Sequence, residues 1–147
     1  MDPDVDLHVP AHRQELRKHP AAVLAAIAGG GVIGALARYG IATAWSHDPA
    51  RFSWSIWTVN VSGCFLIGVL MVLIARRLPR QSLIRPFFGV GILGGYTTFS
   101  TSVVDVQQAA AHGAPGTALL YLAATLVGAL VAVWTGTTLT ELVVRER

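Results

Sequence analysis

Charge is scarce in this chain: Asp, Glu, Lys and Arg make up 13% of its 147 residues, against about 25% in an average soluble domain. With 53% hydrophobic residues and a mean hydropathy of +0.56, that scarcity excludes an ordinary water-soluble domain, and the length leaves no room for an added catalytic domain. No enzyme is expected. Cysteine is nearly absent: the lone Cys64 cannot form an intrachain disulfide and leaves the redox compartment unread, so it is expected to be packed or lipid-facing. A secretory leader is not expected at the N-terminus, because residues 1 to 20 carry Asp2, Asp4, Asp6 and three prolines before any apolar run, the composition of a polar, partly disordered tail. The net charge of +3 and pI near 9.6 do not point to nucleic acid, since the basic residues are not gathered on a polar face beside aromatics. The five histidines offer no metal site: His8, His12 and His19 are in the tail, and His47 and His112 lie in loops without Cys partners.

What the chain does have is four long apolar stretches, at about residues 21 to 45, 54 to 75, 84 to 104 and 117 to 139. Each reaches the roughly 20 helical residues that cross a bilayer. Together they predict an all-α integral membrane four-helix bundle over residues 21 to 144, because too few alternating segments are present to close a barrel. Trp45, Trp54 and Trp57 flank the first loop, as expected of rings at headgroup level. Nine basic residues fall on the side of the two termini and the loop between spans two and three: Arg13, Arg17, Lys18, Arg76, Arg77, Arg80, Arg85, Arg145 and Arg147. The opposite loops hold only Arg51. The positive-inside rule then predicts a plasma (inner) membrane protein with both termini cytoplasmic.

Small residues are dense within the spans. Gly30 with Gly34, and Gly91 with Gly95, form G-x-x-x-G patterns that let backbones approach closely in lipid. Gly89, Gly91, Gly94 and Gly95 crowd the third span, which is expected to break there. Residues Gly89 to Gly94 also satisfy the dinucleotide fingerprint G-x-G-x-x-G, but that motif works only between a strand and a helix. Here it lies inside an apolar span, so nucleotide binding is not expected.

Polar groups within spans are costly and are therefore the functional candidates. They are Arg38, Asn60 with Ser62, the run Thr97, Thr98, Ser100, Thr101 and Ser102, and Tyr121 with Thr125. No Asp or Glu sits in mid-span, which argues against a proton-coupled antiporter. A helix unwound near Gly94 frees carbonyls that need a partner away from lipid. Either a hard cation such as Na⁺ or the neighbouring Thr and Ser hydroxyls could supply it.

The segment Gly94-Gly95-Tyr96-Thr97-Thr98-Phe99-Ser100-Thr101 resembles the signature of the bacterial fluoride-channel family, Fluc or CrcB. Gly-Ala-Leu-Ala-Arg-Tyr at residues 34 to 39 and Thr-Val-Asn-Val-Ser-Gly at residues 58 to 63 extend the resemblance over all four spans. It implies an antiparallel dimer, with two fluoride pores along the subunit interface and a structural, non-transported Na⁺ where the broken third helices cross. The Na⁺ ligands would be the backbone carbonyls of Gly94 and Thr97. Asn60, Phe99, Tyr121 and Thr125 would line the pore, and Arg38 would stand at a vestibule. Such a pore replaces fluoride's hydration with donors and excludes larger anions by diameter. Asn60 and Thr125 carry such donors, and Phe99 carries the positive edge of its ring quadrupole. An acidic residue is common in the family at the position of Asp105.

Two positions depart from the family pattern. Ser102 stands where a second pore phenylalanine is usual, and Ala129 where the fourth-span polar track continues with serine. Both departures accord with the nine-to-one charge bias, which opposes insertion of one chain in both orientations. The expectation is a fluoride-selective passive channel, homodimeric or paired with an oppositely oriented homologous subunit. The alternatives are a four-helix efflux transporter of small molecules or cations, and a non-conducting structural subunit.

Overall fold

The computed structural model describes residues 20–77 and 83–145. The N-terminal tail before Pro20 lies outside the described residues, as do Arg80 and Arg147. The described chain is all-helical: α1 (Pro20–Ala44), α2 (Trp54–Arg77), a third span composed of α3 (Arg85–Leu93), α4 (Gly94–Tyr96) and α5 (Phe99–Ala111), and α6 (Pro115–Arg145). Four helical stretches of 24 to 31 residues are long and apolar enough to cross a membrane. The four-helix membrane bundle read from the sequence is thus the observed fold.

Proline sets several starts. Pro20 opens α1, Pro86 is the second residue of α3 and Pro115 opens α6, positions where a missing N–H costs nothing and the fixed φ suits a helix. The turn from α5 to α6 needs a left-handed residue, and Gly113 takes it at φ +78°. The Ala114 N–H then reaches back to the Ala109 carbonyl at 2.9 Å, closing α5 in a Schellman arrangement.

Helix contacts are made by backbone rather than by large side chains. α1 packs on α3 and α4, α2 packs on α6, and α5 joins the two pairs through α6. The two glycine patterns meet each other: a Cβ added to Gly91 would lie 2.9 Å from the Gly30 Cα, and one on Gly95 would lie 2.5 Å from the Gly31 carbonyl oxygen. Gly68 plays the same part between α2 and α6, where a Cβ would fall 2.6 Å from the Val133 carbonyl oxygen. Close backbone contact is how helices associate where lipid removes the hydrophobic drive. Few apolar side chains are buried, among them Ile56, Val59 and Val72, while Leu24 and Leu36 of α1 and Leu119, Leu126 and Leu130 of α6 are exposed. Helices apolar on all sides are suited to lipid contact.

The third span does not unwind at its glycines. α3 is a π-helix in which the Gly94 N–H reaches the carbonyls of Gly89 and Gly91, and the helix continues through Tyr96. Extended backbone occurs only after that, at Thr97 (φ −80°, ψ 154°) and Thr98 (φ −152°, ψ 122°), before α5 starts at Phe99. The glycines serve the close approach of α1, and the departure from helix falls on two β-branched residues that favour extended backbone. The G-x-G-x-x-G match accordingly runs from the π-helix into α4, without a preceding strand among the described residues.

Candidate functional site

Asn60 of α2 is buried, at 7% exposure, and reaches across to the extended residues of the third span. Its Nδ2 donates to the Thr98 carbonyl at 2.9 Å and to Ser102 Oγ at 2.8 Å. Its Oδ1 accepts from the Thr98 N–H at 2.8 Å. Gly63, one turn along α2, admits this approach, because a Cβ there would overlap the Thr97 methyl.

These bonds redirect two backbone donors. In a continuous helix the Thr98 N–H would bond the Gly94 carbonyl and the Thr101 N–H the Thr97 carbonyl. Instead Thr98 N–H goes to Asn60, and Thr101 N–H goes to Thr98 Oγ1 at 3.3 Å. Thr98 is thereby the N-cap of α5. Between them, the Gly95 carbonyl accepts from Arg38 Nε at 3.2 Å. Thr98→Val keeps the shape and removes the cap. It is expected to cost about 1 kcal/mol, read as a fall of about 4 °C in the thermal midpoint of the detergent-solubilised protein.

A groove of about 400 Å³ lies beside the interruption and is lined by Asn60, Gly94, Thr97, Phe99, Thr125 and, among others, Cys64. Five residues predicted from the sequence to serve the site therefore share one surface. Ser102 and Ala129, the two departures, also line it. Phe99, the first residue of α5, is 79% exposed. Thr125 Oγ1 donates to the Tyr121 carbonyl at 2.7 Å, so its hydrogen is engaged along its own helix and its lone pairs remain.

Two predicted residues stand apart from the groove walls. Tyr121 is buried at 2% exposure, edge-on to Phe52 at 5.0 Å, with its hydroxyl 3.5 Å from both Ser102 Oγ and Asp105 Oδ2. Arg38 lies against the Gly95 carbonyl, at the interruption itself. His47 and Asp105 continue the polar line from Tyr121, with Nε2 and Oδ1 3.9 Å apart.

Sequence reasoning did not single out Thr98 as the residue on which these bonds converge. A local signal was present, since Thr98 precedes a new helical run and Thr is a favoured N-cap. Its pairing with Asn60, 38 positions away, leaves no local trace.

Comparison with known proteins identifies the family. Residues 25–137 match the family model described as CrcB-like protein, Camphor Resistance (CrcB). The chain is 48% identical over 125 residues to a Streptomyces avermitilis protein named fluoride-specific ion channel FluC 2, covering 85% of this chain and 79% of the relative. It is 54% identical over 111 residues to a Thermobifida fusca protein of the same name, covering 76% and 82%. It is 49% identical over 114 residues to the Streptomyces coelicolor protein named fluoride-specific ion channel FluC 1, covering 78% and 74%. With the family model matched over all four apolar helices, this chain is a multi-pass membrane protein that belongs to the CrcB family.

Proposed function

We propose that this chain forms a fluoride-selective passive channel, on the strength of one observation above the rest: Asn60, Phe99, Thr125, Gly94 and Thr97 share a single groove at the helix interruption. The names of its relatives support the same reading. Against an efflux transporter stand those names and the lack of any carboxylate in residues 21 to 45.

An interrupted membrane helix offers both signs of partial charge in one place. The end at Tyr96 leaves carbonyls for a cation, and the start of α5 at Phe99 presents the positive end of its dipole to an anion. The Gly94 and Thr97 carbonyls fit a Na⁺, because the N–H groups that would saturate them in a helix are bonded elsewhere and hard cations take oxygen ligands. A Na⁺ held there by the Gly94 and Thr97 carbonyls would supply fixed positive charge next to the anion path. Phe99 presents its ring edge to the anion beside the positive end of α5.

The pores run along the interface of an antiparallel dimer in the plasma membrane. Fluoride enters cells as HF and dissociates, and an inside-negative potential then drives F⁻ outward without energy coupling. The nine-to-one basic bias supports cytoplasmic termini and one orientation. A partner of opposite orientation, homologous and separately encoded, would complete the channel and supply the groups missing at Ser102 and Ala129. Relatives named FluC 1 and FluC 2 accord with such pairing.

Fluoride efflux from Na⁺-loaded liposomes, with chloride efflux as control, tests this. Fluoride flux is expected only when a homologous neighbour subunit is present. Robust flux from this chain alone would sink the heteromer, and no fluoride flux in either case would remove the channel reading.

A further inference from the structure

Every hydrogen-bonding group of the Asn60 amide is engaged within the chain. Both Nδ2 hydrogens have acceptors, Thr98 O at 2.9 Å and Ser102 Oγ at 2.8 Å, and Oδ1 has a donor, Thr98 N–H at 2.8 Å. A primary amide has only two donor hydrogens, so none is left for an anion on this surface. What the side chain holds instead is one residue, Thr98, by its N–H and its carbonyl together.

That grip has a consequence one turn earlier. A Thr98 N–H without Asn60 would be an unmet donor at membrane depth, and such a group finds the nearest carbonyl. In a helix continued through Thr98 that would be the carbonyl of Gly94, four residues back. Closing it would consume one of the two carbonyls assigned to the cation. The extended backbone at Thr98, at φ −152° and ψ 122°, also places Oγ1 to take the Thr101 N–H that would otherwise fall to Thr97. Ser102 completes the arrangement, since its Oγ accepts from Asn60 and donates to the Thr98 carbonyl at 3.3 Å. It does so at the position where the family resemblance implies an aromatic ring.

We infer that Asn60, supported by Ser102, is the positioning residue of the cation site: by holding Thr98 extended it keeps the Gly94 and Thr97 carbonyls free of helical donors. The inference rests on the Na⁺ reading given under Proposed function. It gives Asn60 a task distinct from lining the anion path, and it makes Ser102 a working part of this chain.

The test is equilibrium binding of radioactive sodium to the purified full-length chain assembled with its homologous neighbour subunit, against an N-methylglucamine background. Thermal midpoints are recorded in parallel. Asn60→Leu is expected to raise the half-saturating Na⁺ concentration about tenfold and Ser102→Ala about threefold, as expected for losing a buried hydrogen-bond partner. Thr140→Val, whose hydroxyl bonds only its own helix at the Gly136 carbonyl, serves as the control. A merely structural role would lower the thermal midpoint of the variants and leave their half-saturation unchanged; that outcome overturns the inference. If Asn60→Leu fails to fold, Ser102→Ala decides alone, because it removes one oxygen atom. Wild-type protein that binds no Na⁺ would remove the metal reading and this inference with it, whereas wild-type binding with unshifted variants would remove the inference only.

Discussion

Replacing Phe99 by isoleucine is expected to lower fluoride flux through the assembled channel about thirtyfold while leaving the chain folded. The fold is spared because the ring is 79% exposed in the chain and sits at the start of α5, so its removal opens no cavity in the bundle. Flux is not spared because isoleucine has no quadrupole. A desolvated ion against an aromatic ring is worth roughly 2 kcal/mol in the well-studied cation case, and the positive ring edge offers an anion a comparable contact. Losing about 2 kcal/mol corresponds to about thirtyfold in rate. Phe99 is the one aromatic residue among the described residues that line the groove, so no second ring shares the load. Fluoride-electrode recordings of efflux from liposomes measure it. Unaltered flux from a folded Phe99→Ile protein would shift this chain to the role of a non-conducting partner.

The second large effect concerns stability. Gly91→Val is expected to abolish monodisperse, folded protein, and the measurement is size-exclusion chromatography with thermal unfolding in detergent. A Cβ at Gly91 would stand 2.9 Å from both the Gly30 Cα and the Ile27 carbonyl oxygen. Neither atom is the end of a flexible side chain, so α1 and α3 must separate. Overpacking typically costs about 1–3 kcal/mol even where side chains can yield, and this contact extends along the interface to Gly34, where a Cβ would overlap the Ile92 carbonyl. Gly40→Ala supplies the contrast, because a Cβ there meets nothing within 4 Å. It is expected to change stability by no more than about 1 kcal/mol, the scale of helix propensity. Equal effects from the two substitutions would mean that glycine content, and not the α1–α3 contact, governs the fold.

Much of this molecule is legible in its sequence, and the parts that are legible share a cause. Hydropathy is a local sum, so the four spans follow from counting apolar residues. The pairing of glycine patterns is partly visible for the same reason: Gly30 with Gly34 and Gly91 with Gly95 mark faces that admit close approach, though not which face each meets. The candidate site is less legible. Asn60, Phe99, Thr125, Gly94 and Thr97 stand out one by one as costly or special residues in a membrane. Nothing local says that they share a groove.

Three features were decided by tertiary structure alone. The helix departs from regularity at Thr97 and Thr98 and not at the glycine cluster, because α1 occupies the glycine face while Asn60 binds the backbone of Thr98. Tyr121 is buried beneath Phe52 beside Ser102 and Asp105, although its sequence position allows a place on the groove wall equally well. Arg38 meets the Gly95 carbonyl at the interruption, where one of the freed acceptors can be satisfied by a side chain 57 residues away. By itself the sequence determined the solvent, the number of membrane spans and the chemistry each residue can offer, since those depend on composition and short-range periodicity. The three-dimensional arrangement decided which donor meets which acceptor, because a buried backbone group must be satisfied by whatever packing brings within reach.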